Sequence, residues 1–383
     1  MRKLLAIVLT ITTMATVLVA YKKFGGDKPV AVAPPVVKQL PPDGGSTPLP
    51  KDKTPDFTLE QSVAAIVEAD LKRDLYYLAS NELEGRMSGK KGNKLAADYI
   101  EQQYRSFGLE TMRHKFPIAR WNPGPKNETG DDFTENIYAW IDGTDPTLKN
   151  EIVVVGAHMD HIGYGPRASQ APGRMEINPG ADDNASGTVA LKAIARAFSH
   201  HKSKCKRTVV FMSFSGEEMG LIGSRYYCDN PVFPKGAPSM KSHVAMINMD
   251  MIGYLKRGQF LASFSENNSS PDLDQIIGGL NAKYSFAKSI SGRGAGGSDH
   301  APFYNKRVPV VCLHTGMHKA YHTPDDTAER INYKGLEQIA RYAFELSWQS
   351  CNGGRMAFNH ADFRAMNYTH DHGYEEAPFH ERK

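Results

Sequence analysis

The sequence predicts a three-layer α/β/α sandwich on a mixed, mostly parallel central sheet, and two observations predict it. Four short runs, Ile152 to Val155, Thr208 to Phe214, Ala245 to Ile247 and Val308 to Leu313, are apolar almost throughout instead of alternating with polar residues. Strands of that kind are covered on both faces, as a parallel sheet sandwiched by helices requires. Helical periodicity falls between and around these runs.

The elements follow in chain order. Arg2 and Lys3 precede an uncharged stretch from Leu4 to Tyr21, closed by Lys22 and Lys23, so residues 1–24 read as an export signal or an N-terminal membrane anchor. Residues 25–56 are rich in Pro, Gly and Lys, without periodicity, and read as an extended linker. The folded domain is expected over residues 57–350. Val63, Ile66, Val67 and Leu71 mark one helical face, and Ala96, Tyr99, Ile100, Gln103 and Phe107 a second that Gly108 caps. Ala190, Ala193, Ala197 and Phe198 mark a helix between the first two strands. Leu336, Ile339, Ala340, Ala343 and Phe344 mark one after the last. Residues 351–383 form a polar tail holding His360, His370, His372 and His380, read as a surface terminus.

Composition narrows the function classes. With 40% hydrophobic and 23% charged residues the chain is globular, and its formal charge of +4 is scattered along the sequence, which argues against a nucleic-acid surface. The leader places the protein outside the cytoplasm, periplasmic or secreted, with residues 4–21 as an alternative membrane tether. Such a compartment permits disulfides. Four cysteines allow three full pairings. Cys205, ahead of a strand, and Cys228, near the end of the helix returning beside it, form the favoured pair, while Cys312 reads as a core thiol.

Chemistry gathers at the strand ends. After the first run come His158, Asp160 and His161; after the second, Glu217 and Glu218; after the third, Asp250; after the fourth, His314 and then His322. The carboxyl ends of strands in an open α/β sheet line one crevice, so these groups should converge there. The segment GADDNASG, residues 180–187, opens the following helix beside them. Histidines and carboxylates without cysteine make a ligand set for zinc, manganese or cobalt. Taken singly, each of these residues is more simply a helix cap or a loop hydrogen bonder; their recurrence on successive strands argues otherwise.

The ordered segments AHMDHIG, GADDNASG, FSGEEMGLIGS, NMDMIG, SDHAPF and YHTPDDT, with LEGRMSGKKGNKLAADYI upstream, resemble the co-catalytic dizinc exopeptidases of the bacterial leucyl aminopeptidase and aminopeptidase Y type over roughly Leu71 to Ser350. The resemblance implies a zinc-exopeptidase (phosphorylase/hydrolase-like) architecture and two Zn²⁺ per chain, with Mn²⁺ or Co²⁺ as substitutes. It implies that Asp183 bridges both metals, that His158 and Asp250 complete one site, and that Glu218 and His322 complete the other. Glu217 is then the general base and Asp160 orients the His158 ring. Tyr321 is either an oxyanion donor or a packed aromatic of the cleft wall. Asp299 is a candidate supporting group, ahead of His300, and the Asp183–Asn184 peptide is expected to be cis. With five ligand positions filled, His161 and His314 read as structural.

The function implied is an exported aminopeptidase acting on peptide N-termini. A glutaminyl cyclase, which shares the fold but uses one zinc, is the alternative; Asn184 and Ala185 after Asp183 favour the peptidase. A carboxypeptidase would need cationic groups for the substrate carboxylate, for which Arg293 alone stands. No inserted accessory domain fits between residues 108 and 151, so specificity is assigned to loops, with Tyr164 to Asn178 and Ser265 to Arg293 as candidates.

Overall fold

The computed structural model describes residues 57–118, 132–256, 262–264, 269–286 and 297–361. The leader, the linker, residues 265–268 and 287–293, Arg293 among them, and the end of the C-terminal tail lie outside the described residues. The rest of the Ser265 to Arg293 stretch is not the loop expected: Pro271–Tyr284 forms a helix, capped by the Ser270 side chain. Among the described residues no helix is long and apolar enough to cross a membrane.

The domain begins with α1 (Leu59–Ala64), α2 (Glu68–Leu78) and α3 (Lys91–Ser106). The apolar face read as one helix is divided between α1 and α2. Thr58 and Gln61 close a reciprocal capping box on α1, which ends at Ala65, and Val67 is extended before α2 begins. Gly108 follows α3 with φ +68°, the left-handed stop expected of it. The strands β1 (Glu110–Pro117) and β2 (Phe133–Ile141) come next, then β3 (Ile152–His158), α4 (Gly187–Ser199), β4 (Thr208–Phe214), α5 (Ile222–Asp229) and β5 (His243–Met249). The order continues with β6 (Ala262–Phe264), α6 (Pro271–Tyr284), α7 (His300–Asn305), β7 (Val310–His314) and α8 (Tyr333–Asn352).

The sheet order is β1-β2-β4-β3-β5-β7-β6. The four central strands β4, β3, β5 and β7 are parallel, β2 and β6 are joined to them antiparallel, and β1 pairs antiparallel with β2. The central four are the runs legible in the sequence; the flanking three were not read from it. The reason is burial. All seven residues of each of β3, β4 and β5 are buried, whereas β1 is largely solvent-facing and carries no continuous apolar run.

Side chains alternate between two cores. Val153, Val155, Val209, Phe211, Ala245 and Ile247 face a large core with α2, α3, α4, α6 and α8. Ile152, Val154, Val210, Met212, Phe214 and Met246 face a smaller one with α5 and α7. The three layers expected are therefore present. The same division corrects the cysteine pairing: Cys205 lies in the larger core and Cys228 in the smaller, on opposite sides of the sheet. A helix returning beside a strand still chooses a face, and spacing alone does not say which.

Past α8 the chain stays on the domain. Asn359 donates from its backbone to Ser269 O at 2.8 Å, and the Phe358 ring meets Tyr304 at 5.5 Å. The start of the tail is thus packed.

In the smaller core Tyr227 Oη donates to His243 Nε2 at 2.7 Å, and His243 Nδ1 donates to Ser239 O at 3.0 Å. A carbonyl cannot donate, so Nδ1 carries a proton, and in the neutral ring Nε2 is the acceptor. Burial lowers its pKa to about 4. The unfolded chain takes this proton near pH 6.5, so the contribution to stability is complete above that pH and is lost as pH falls toward 4. His243 is predicted to keep its neutral proton chemical shifts at pH 5.5 by NMR; a midpoint of 6 or higher would contradict the buried neutral ring.

Candidate metal centre

The crevice sits where the sheet reverses its winding: from β3 the chain goes to β4 on one side, and β5 returns to the other. Each central strand delivers a polar group there. His158 is the last residue of β3, Glu217 and Glu218 follow β4, and Asp250 follows β5, its backbone N–H donating to Leu313 O of β7 at 3.1 Å. His322 comes from the loop after β7, and Asp183 from the irregular turn ahead of α4. All six are buried.

Asp183 stands between two donor sets. Its Oδ1 lies 3.3 Å from His158 Nε2, which is also 3.3 Å from Asp250 Oδ1. Its Oδ2 lies 3.0 Å from His322 Nε2, which is 3.1 Å from Glu218 Oε2. Ligand atoms about 2.0–2.1 Å from a tetrahedral zinc stand about 3.3 Å apart, so both sets have the separation one cation would impose. The donor chemistry, imidazole with carboxylate and no thiolate, also fits zinc. The five ligand positions implied by the resemblance therefore meet in one place. Glu217 is beside them, Oε2 3.9 Å from His158 Nε2.

Asp160 works mainly on backbone. Its Oδ1 accepts the Glu217 N–H at 3.3 Å and its Oδ2 the Ser88 hydroxyl at 3.1 Å. His158 Nδ1 is 3.3 Å from the Asp160 carbonyl and 3.8 Å from its Oδ1, so the carbonyl is the nearer partner for orienting the ring. Tyr321 stacks on His322 with ring centroids 3.8 Å apart. His161 is closer to the centre than the sequence suggested: its Nδ1 is 2.8 Å from Glu218 Oε1, and it groups with Asp183, Glu218 and His322 as a potential ligand. His314 accepts the Gly316 N–H at Nδ1, 2.7 Å away, which suits a structural role. Asp299 and His300 are buried at the start of α7.

Crowding sets the electrostatics. Burial, with Glu218, Asp250 and Asp299 nearby, pushes Glu217 well above the usual carboxylate range although His158 opposes it. Burial and the Asp160 and Asp250 charges likewise push Asp299 up to about 7. Asp183 goes the other way: burial would raise it, but hydrogen bonds from His158 and His322 hold it well below its ordinary value. A carboxylate held ionised between two imidazoles is what a bridging ligand requires.

Residues without a sequence-assigned role hold this turn in place. The Asp326 carboxylate accepts the N–H groups of Asp182 and Asp183 at 3.0 Å, and Asp182 Oδ1 accepts the Gly253 N–H at 2.6 Å. The Asp183–Asn184 peptide is cis, as the resemblance implied. Gly180 has φ +59°, and a Cβ there would lie 2.2 Å from Asp183 O and 2.5 Å from the His161 ring. Arg86, wholly buried, donates to the carbonyls of Met159, Leu78, Pro179 and Gly180 at 2.6–2.9 Å. Burial lowers its pKa to about 10 while Asp183 and Asp326 hold the charge in place. Arg86 and Ser88 occupy the segment LEGRMSG and Asp326 the segment YHTPDDT, so their motifs were visible but their partners were not.

A model of peptidase family M28 matches residues 136–347, more than half of the chain. The chain belongs to that family. Like this M28 chain, a leucine aminopeptidase 1 of Trichophyton equinum carries the matched region: the two are 31% identical over 294 residues, 73% of each. Leupeptin-inactivating enzyme 1 of Streptomyces exfoliatus is 29% identical over 295 residues, 72% of this chain and 59% of that one. For that protein and several fungal relatives, the M28 chain spans 56 to 59% of their length. Among solved structures, an aminopeptidase from Aneurinibacillus sp. strain AM-1 aligns with a TM-score of 0.61 at 17% identity, covering 81% of this chain and all of that one, which bears out the fold.

Arg86→Met is predicted to destabilise the protein by about 3 kcal/mol or more, because four buried carbonyls lose a charged donor. Urea unfolding of the metal-free protein measures it; an unchanged midpoint would mean that the carbonyls find other donors.

Proposed function

We propose that this protein is an exported aminopeptidase that uses two divalent cations, zinc before manganese or cobalt, to release amino acids from free peptide N-termini. The observation that carries the reading is the division of the Asp183 carboxylate between two donor sets, one oxygen toward His158 and Asp250 and the other toward His322 and Glu218. Family membership and the names of the relatives support it. Export is supported by the basic start and uncharged run of residues 2–21.

In this reading His158, Asp183 and Asp250 hold one cation and Asp183, Glu218 and His322 the other. A cation pair supplies Lewis acidity at the scissile carbonyl and makes water acidic enough to give up a proton near neutral pH. Glu217 takes that proton and returns it to the departing amine. The backbone N–H to Asp160 and the His158 contact fix its position. Tyr321, stacked on His322, donates to the developing oxyanion. Peptides are the partners, and the N-terminal segment meets the export machinery or the membrane.

The test combines metal content by mass spectrometry with hydrolysis of matched free and N-acetylated peptides. Two metals per chain and release of N-terminal residues from free amines alone are expected. One metal with cyclisation of N-terminal glutamine would hand the chain to the cyclase reading, and cleavage from the carboxyl end to a carboxypeptidase. Glu217→Gln is predicted to keep both metals while kcat falls about 10²–10⁴-fold. Asp183→Ala is predicted to lose both metals, and Asp250→Ala only one; equal metal loss in the two variants would count against a bridging Asp183.

A further inference from the structure

Two cysteines that no part of the catalytic reading uses meet at the far end of the sheet from the metal centre. Cys205 precedes β4 and Cys351 is the penultimate residue of α8, and both are fully buried. The segments that carry them are laced together. The Lys206 N–H donates to Asn352 Oδ1 at 3.0 Å, and the Cys351 thiol to Arg207 O at 3.4 Å. The buried Arg207 guanidinium reaches back to the carbonyls of Ser350, Cys351 and Gly353 at 2.9–3.4 Å. The Cys205 thiol donates to His201 O at 3.6 Å, and between these contacts the two thiols lie near enough to perturb each other's ionisation.

We propose that Cys205 and Cys351 form a disulfide that ties the end of the last helix to the start of β4. The link rests on the export reading only for the compartment in which it forms. Oxidation removes one proton from each thiol and two electrons from the pair; the acceptor is a small-molecule or protein disulfide, which leaves as two thiols. Either thiol attacks as its thiolate while the chain is still open to the oxidant. The closed loop spans most of the catalytic domain, the case in which a cross-link restricts the unfolded chain most. Cys228 is on the other side of the sheet, and Cys312, within β7, accepts a hydrogen bond from Asn248 at 3.6 Å. Both stay thiols.

The test uses the full chain, refolded in glutathione and glutathione disulfide, trapped with N-ethylmaleimide under denaturing conditions and mapped by peptide mass spectrometry. Two labels are expected, on Cys228 and Cys312, with the Cys205 and Cys351 peptides recovered joined and two mass units light. Four labels, or a Cys205–Cys228 link, would overturn the proposal. Cys351→Ser should give three labels and no joined peptide, while Cys228→Ser keeps the link. Reduction is expected to lower the melting midpoint by several degrees, and a linked protein with an unmoved midpoint would overturn the role as a tie. Peptidase activity assayed on the same samples separates the two readings: a linked but inactive chain defeats the catalytic one alone.

Discussion

The Asp183 carboxylate is the constraint on which the rest of the crevice depends. Its two oxygens face different histidines, so the turn that carries it must be held from every side. Asp326 holds the two backbone N–H groups, Arg86 the carbonyls just upstream, and the Asn184 amide reaches Met249 O at the end of β5. The fold answers that demand with topology. A chain reversal beside β3 opens a gap at the strand ends, and the groups arriving there come from positions as distant as Arg86 and Asp326. No short piece of the chain could assemble this centre alone.

Such a gathering of buried carboxylates is costly for an empty protein. Asp160, Asp183, Glu217, Glu218, Asp250 and Asp299 are all buried within one neighbourhood; Arg86 is a buried cation set against them, and against the opposing effect of burial the carboxylates raise the pKa of His158 and, to about 10, that of His322. Like charges at this density disfavour ionisation, which is why Glu217 and Asp299 hold protons above the usual carboxylate range. The cations of the proposed reading would relieve the repulsion, and because the donor groups are brought together only by the folded sheet, binding them would also stabilise the fold.

What the sequence revealed followed from repetition. Four strands covered on both faces leave unmistakable apolar runs, and their polar successors had to converge because parallel strands end on one side. The convergence of the polar groups, the sheet centre and the cis peptide after Asp183 were therefore legible, some by pattern and some by resemblance. The edge strand β1 was not, since a strand with a solvated face such as Glu110–Pro117 carries only a weak alternation, and β2 beside it opens with the polar Thr134, Glu135 and Asn136 ahead of its buried apolar half. The break between α1 and α2 was hidden by apolar spacing that runs through it. Arg86, His161 and Asp326 sat in quoted motifs, yet a side chain bound to distant backbone leaves no periodic trace. The cysteine pairing failed for a related reason: the choice of sheet face is made by the whole packing, not by separation along the chain.

The His322 segment links substrate surroundings to cation retention. Its carbonyl accepts the Gln170 N–H at 2.8 Å and the Ser169 hydroxyl at 2.9 Å, and its ring Nδ1 lies 3.3 Å from Ala168 O. All three contacts come from the loop between Tyr164 and Asn178, a connecting segment of the kind that tolerates change in length and composition. Grafting a different loop there to alter selectivity would therefore also change how firmly His322 is held. If that loop sets preference and His322 holds a cation, as proposed, preference and metal affinity are inherited together, and laboratory evolution of one would have to select for the other at every round.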